Sequence, residues 1–209
     1  MTSIDYGRRG VLVGAAGTLL LLGRLPARAQ SDSVVAPIQQ LVAGLTGVMK
    51  AGSSKTPFEQ RYSTLAPVIT STFDLPTILR ESVGPTWESL PPDQQSMLQD
   101  AFRRYTVSSY VNSFDSYNGQ QFVVNPEPRV VGSDKIVRTE IIPKSGDKHV
   151  LDYVMRDTGG GAWKVADVLA DGSVSRVAVQ RSDFRRLLTK GGAPALAESL
   201  RTKSAALSG

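Results

Sequence analysis

One histidine, no cysteine and a spread of carboxylates bound the chemistry open to this chain of 209 residues. Without a thiol there is no thiolate nucleophile, no disulfide and no sulfur-bound zinc. Any Ser-His-Asp triad or imidazole-bound metal would have to use His149, which stands beside Lys148 where a strand pattern starts and has no second histidine to complete a ligand set. Asp167, inside WKVADVLA, is the more suggestive carboxylate. It could serve as a base with Tyr105 or Tyr110 as oxyanion donor, as in small cone-shaped isomerases, or accept backbone or arginine hydrogen bonds near the Asp171-Gly172 turn. Gly159-Gly160-Gly161 precedes a strand, not a helix N-terminus, so it reads as a hairpin turn and not as a phosphate loop. Arg103-Arg104 and Arg185-Arg186 could approach anionic groups or an acidic docking surface, or simply be solvated.

The N-terminus reads as a targeting segment. Arg8-Arg9 precedes a glycine-rich apolar run from Val11 to Gly23, and Ala27-Arg28-Ala29 offers a small-residue cleavage site before Gln30. The run is shorter than the roughly 20 apolar residues of a membrane-spanning helix. Its basic start fits either a Sec or a twin-arginine leader, and Gln30 stands where a lipoprotein would need cysteine. The expectation is a cleaved signal peptide over residues 1–29 and one domain over 30–209, soluble in the periplasm. Loss of the leader would leave 20 basic and 18 acidic side chains, too even a balance to support nucleic-acid binding.

The elements that must position these residues follow from periodicity. Ala36 to Ala51 carries Ile38, Leu41, Val42, Leu45, Val48 and Met49 at helical spacing, with Gly52 placed to end the helix. Thr56-Pro57-Phe58-Glu59 reads as a capping box opening a helix to about Ser71, and Asp74 as the cap of a short helix that Gly84-Pro85 stops. Pro92 to Tyr117 is the longest helix, striped by Leu98, Phe102, Tyr105, Ser109 and Phe114. Beyond Asn118-Gly119 the period changes to two, and strands are expected at 122–125, 129–132, 135–142, 148–157 and 163–170. In the fourth, Leu151, Tyr153 and Met155 share a face; in the fifth, Trp163, Val165 and Leu169 oppose Lys164, Ala166 and Val168. Asp183–Lys190 and Ala193–Ser204 return to helix around Gly191-Gly192. The class is α+β: a curved antiparallel sheet packed on one face by helices.

The stretches HVLDYVMRDTGGGAWKVADVLADGSVSRVA, AFRRYTVSSYVNSFDSYNGQQFVV and VQRSDFRRLLTKGGAPALAESL resemble the MlaC, or toluene-tolerance auxiliary, family of periplasmic lipid-binding proteins over about Val35 to Leu200. FDLPTILRESVGPTWESLPPDQQ and SVSRVAVQRSDFRRLL look closest to its hopanoid-associated HpnM branch. The resemblance implies a fold loosely NTF2-like, with an apolar cavity between sheet and helices that takes acyl chains. Carried onto this chain, Val137, Thr139, Ile141, Leu151, Tyr153 and Met155 on the sheet oppose Phe102, Tyr105 and Phe114 on the long helix. Phe73, Leu75, Leu79 and Trp87 would cover the mouth. The implied ligand is a phospholipid or a hopanoid. The implied partners are an inner-membrane ABC or RND-type transport complex and an outer-membrane lipoprotein complex, with no cofactor and no enzymatic step. An isomerase or hydrolase using Asp167 with a tyrosine, and a noncatalytic adaptor whose apolar interior is ordinary core, are the alternatives.

Overall fold

A computed structural model describes residues 27–208, with side chains from Val34 onward. The expected leader lies outside the described residues except for Ala27-Arg28-Ala29, which begin the first helix. The helices are α1 (Ala27–Ser53), α2 (Phe58–Thr72), α3 (Leu75–Val83), a 3-10 turn (Gly84–Ser89), α4 (Pro92–Ser113) and α5 (Arg176–Ser208). Between α4 and α5 lie β1 (Gln121–Val124), β2 (Arg129–Val131), β3 (Asp134–Ile142), β4 (His149–Asp157), β5 (Trp163–Ala170) and β6 (Val174–Ser175). The architecture is the expected α+β one, an open antiparallel sheet packed by helices.

The strand order is β1-β3-β4-β5-β6, with β2 also pairing β3. β1 and β2 share one edge of β3, against Thr139–Ile142 and Asp134–Ile136 respectively. Pro126 and Pro128 lie between them, where the missing N–H groups blunt an otherwise open edge.

α1 is long and apolar enough to cross a membrane over Val34–Ser53. Its stripe is nonetheless spent inside the protein, because Val34, Ile38, Leu41, Leu45 and Val48 are all at most 1% exposed. The same core takes in Leu65 and Ile69 of α2, Leu79 of α3, Leu98 and Phe102 of α4 and Leu196 and Leu200 of α5.

Four local expectations are corrected. Gly52 does not end α1, which runs on to Ser53; a Cβ there would sit 1.7 Å from the Asp115 carbonyl oxygen, so the glycine permits a close backbone approach. Thr56 does not cap α2: the helix starts at Phe58, so Pro57 takes the cap position with no side-chain cap, and Glu59, the other half of the expected box, pairs with Arg104 of α4. α4 stops at Ser113, where Phe114 leaves helical geometry, four residues before the expected end. α5 starts at Arg176 instead of Asp183, and its halves meet at Gly191 and Gly192, both outside helical φ/ψ. Asp74 does cap α3, accepting the Thr77 N–H at 3.2 Å.

The fifth strand carries the correction with the largest consequence. Met155 pairs with Val165 but Val154 with Asp167, so Ala166 is an extra residue and β5 contains a bulge. Alternation reverses there. Val165, Val168 and Ala170 fall on the helix-covered face opposite Met155, Tyr153 and Leu151, while Leu169, opposite Asp152, falls on the other.

Candidate functional site

The bulge prepares a cavity of about 270 Å³ between β4, β5 and helices α3, α4 and α5. The sheet contributes Leu151, Val168 and Ala170; α3 contributes Leu75 and Ile78, with Phe73 just before it. α4 presents Tyr105, Thr106, Ser109, Tyr110 and Ser113, with Phe114 just after it, and the first turns of α5 present Arg176, Val177 and Gln180. Exposure orders these by depth. Phe73, Leu75, Ile78 and Val177 are buried at the base, whereas Ser113 and Arg176 are exposed at the rim.

Phe73, Tyr110 and Phe114 form one wall, continued behind it by Tyr153 and Phe122. Tyr153 lies 6.5 Å from Phe73 between centroids, Phe73 5.5 Å from Tyr110, Tyr110 6.1 Å from Phe114 in parallel, and Phe114 6.0 Å from Phe122. Such pairs add to area burial and hold the wall stiff. Burial pushes the Tyr110 phenol well above its usual range, and Arg176 nearby offsets part of the rise. Tyr153 is raised as well, by burial and then by Tyr110. Both stay neutral at physiological pH, as hydroxyl donors. The hydroxyls of Thr106, Ser108 and Thr139 are buried with no hydrogen-bond partner.

Asp167 lines the cavity but is committed to the start of α5. Its Oδ1 accepts the Val168 N–H at 2.8 Å and the Val177 N–H at 3.1 Å, and its Oδ2 accepts the Ser175 hydroxyl. Ser175 Oγ in turn accepts the Ala178 N–H at 3.0 Å, as an N-cap does. Two N–H groups of the helix terminus are thus satisfied, that of Val177 by the carboxylate and that of Ala178 by the serine hydroxyl that the carboxylate holds.

Of the residues singled out from sequence, Phe73, Leu75, Tyr105, Phe114 and Leu151 meet in the cavity lining. Val137, Thr139, Tyr153 and Met155 lie on the same sheet face, at most 1% exposed, behind that lining. Ile141 is half-buried opposite His149 at the strand end. Phe102 packs edge-on against Phe184 at 6.2 Å; Leu79 is core; Trp87 is buried in the 3-10 turn, its carbonyl accepting from Gln95. His149 is exposed, and no group of three or more His, Cys, Asp or Glu able to hold a metal occurs among the described residues. Arg103 pairs with Asp100 and Arg104 with Glu59. In the Gly159–Gly161 turn, Asp157 Oδ1 accepts the N–H groups of Gly159 and Gly161. Sequence reasoning missed Arg176, Val177 and Gln180 because it started the last helix at Asp183, beyond them.

The fold and this geometry define a helix-covered antiparallel-sheet protein with an apolar, aromatic-walled binding cavity. The chain belongs to the MlaC family, whose model, MlaC protein, matches residues 39–202. A solved structure of the phospholipid-binding protein from Ralstonia solanacearum in complex with a phospholipid has the same fold, with a TM-score of 0.72 at 20% identity over 84% of this chain and 99% of that one. No curated protein matches the chain. As a member of this family the protein is read as a lipid-binding protein.

Proposed function

We propose that this protein takes a phospholipid out of one membrane, holds its hydrocarbon in the cavity and delivers it to another across the periplasm. In this reading the leader is removed near Ala29, residues 30–209 form one lipid-binding domain, and an ABC or RND-type complex and an outer-membrane lipoprotein complex stand at the two ends. The observation that carries it is the aromatic-walled cavity, closed at the base by Phe73, Ile78 and Val177 and open at the Ser113 and Arg176 rim. The phospholipid held by the Ralstonia protein on the same fold supports phospholipid over hopanoid.

Energetics suit a carrier. Moving two acyl chains of about 30 methylenes from water would gain more than about 20 kcal/mol, at about 0.8 kcal/mol each. The lipid leaves and re-enters hydrocarbon, however, so the exchange is near neutral and requires no chemical step. At about 270 Å³ the cavity falls just short of typical small-molecule sites, about 300–1,000 Å³. It suits one slender chain as it stands, and a diacyl lipid requires α3 and α5 to move away from β5. The eight sheet and helix residues behind or beside the lining are proposed as the surface such widening uncovers.

Solvent extraction and mass spectrometry of gently purified protein tests the reading. Stoichiometric phospholipid is expected, lost in Ser109→Trp, which fills the cavity from α4. Empty wild-type protein, under conditions where a known lipid carrier keeps its cargo, would favour an adaptor.

A further inference from the structure

Among the described residues, Arg176 is the sole cation lining the cavity, and it stands exposed at the rim as the first residue of α5. Among the described residues it has no ion-pair partner, although Asp167 lines the same cavity. The carboxylate is turned to Ser175 and to the N–H groups of Val168 and Val177. The helix terminus is therefore already capped, and the positive charge offered to the cavity is the guanidinium itself. Gln180, four residues along the same helix face, lines the cavity beside it. Across from them on α4, Thr106 and Tyr110 are one turn apart. The Thr106 hydroxyl is buried and unpartnered, and burial is what dominates the environment of the Tyr110 phenol, with no hydrogen bond to offset it. The Arg176 guanidinium, which can only donate, and the Thr106 hydroxyl, which can donate, thus line this space without partners. An uncharged polycyclic hydrocarbon would cover them and leave them unpaired, at the full cost of desolvation. A phosphodiester or carboxylate brings only acceptors and a negative charge, and the planar guanidinium can meet it in two-point fashion.

Building on the lipid-binding reading above, we propose that Arg176 pairs with the acidic head group of the bound lipid at the rim, so that the cavity selects acidic amphiphiles over uncharged ones.

The test is loading of delipidated full-chain protein from mixed micelles of phosphatidylglycerol, palmitate and diacylglycerol, read by native mass spectrometry. Wild type should take phosphatidylglycerol well ahead of diacylglycerol, and Arg176→Gln should reduce that preference by about tenfold, with Arg176→Lys recovering part of it. Arg176 is exposed and unpaired, so Arg176→Gln should fold normally, which its thermal melt checks. Palmitate taken as readily as phosphatidylglycerol would show that acid charge alone is read; palmitate refused would show that the phosphodiester is. A wild-type preference unchanged in Arg176→Gln, or diacylglycerol loading equal to phosphatidylglycerol in wild type, would overturn the proposal while leaving lipid binding intact. Wild type that loads none of the three would instead overturn the lipid-binding reading.

Discussion

Arg138 of β3 and Asp152 of β4 face each other across the sheet on the side away from the cavity, joined by two hydrogen bonds of 2.8 and 2.9 Å. The arginine side chain is half exposed but the aspartate is 1% exposed, because the turn at Gly172 lies over the pair. A Cβ on Gly172 would come within 3.3 Å of Arg138 Nη2 and 3.4 Å of Asp152 Oδ2, and its φ of 71° already demands glycine.

Hydrogen bonding to Arg138 holds the Asp152 carboxyl below the usual carboxylate range, against the opposing effect of burial. A lowered folded-state pKa contributes stability that is present above the unfolded value, about 4, and lost as the pH falls through the folded value. Wild type should therefore be more stable than Asp152→Asn near neutrality, with the gap closing below about pH 4. Urea midpoints measured between pH 2 and 7 check this, and a gap independent of pH would show that the carboxylate charge is not what matters.

Asp167 and Ser175 act as one capping unit for α5. Ser175→Ala and Asp167→Ala should each cost about 1 kcal/mol, the size of a lost N-cap. The double variant should cost clearly less than their sum because the two share a network. Asp167→Asn should still retain lipid. Turnover of a hydrophobic substrate in wild type that vanishes in Asp167→Asn would instead favour the isomerase or hydrolase reading.

Thr139 carries a buried hydroxyl without a partner. Thr139→Val is expected to stabilise delipidated protein by about 1 kcal/mol, since an unsatisfied buried group costs about 1–3. Thr139→Trp separates cavity from core at the same point. Overpacking costs about 1–3 kcal/mol in a filled core, whereas a widened lipid cavity would accept the indole and lose cargo. Denaturant unfolding and lipid content, measured together, decide between them.

Gly52→Ala should destabilise by about 1–3 kcal/mol, because its new methyl would collide with the Asp115 backbone and neither α1 nor the chain after α4 can yield cheaply. Gly47→Ala, with open space around its Cβ position, is the control and should be neutral or mildly stabilising.

Much of the architecture is written locally. The period of the apolar residues marks α1, α2 and α4 and separates the helical half from the strands, and glycine-rich turns mark the β4–β5 hairpin. Five of the thirteen residues named from sequence and resemblance meet in the cavity lining. Leu75, Tyr105 and Leu151 lie on helix faces or on a strand, where spacing and direction go together, and Phe73 and Phe114 directly follow the last turns of α2 and α4. What the sequence determined by itself was therefore the class of each element and which faces are apolar, since these depend on neighbours three, four or two residues away. Tertiary structure alone decided the rest. The extra residue at Ala166 is defined only by which residues of β4 lie opposite β5, and that pairing turns Val168 inward and sends Asp167 to α5. The start of α5 at Arg176 depends on that carboxylate, ten residues before Val177 across the β5–β6 turn, and the fate of Glu59 on Arg104, 45 residues away. Arg176 enters the cavity wall because the hydrogen bonds from Ser175 and Val177 to Asp167 fix where its helix begins, and no helical or strand period encodes a partner that the β5–β6 turn has yet to bring near.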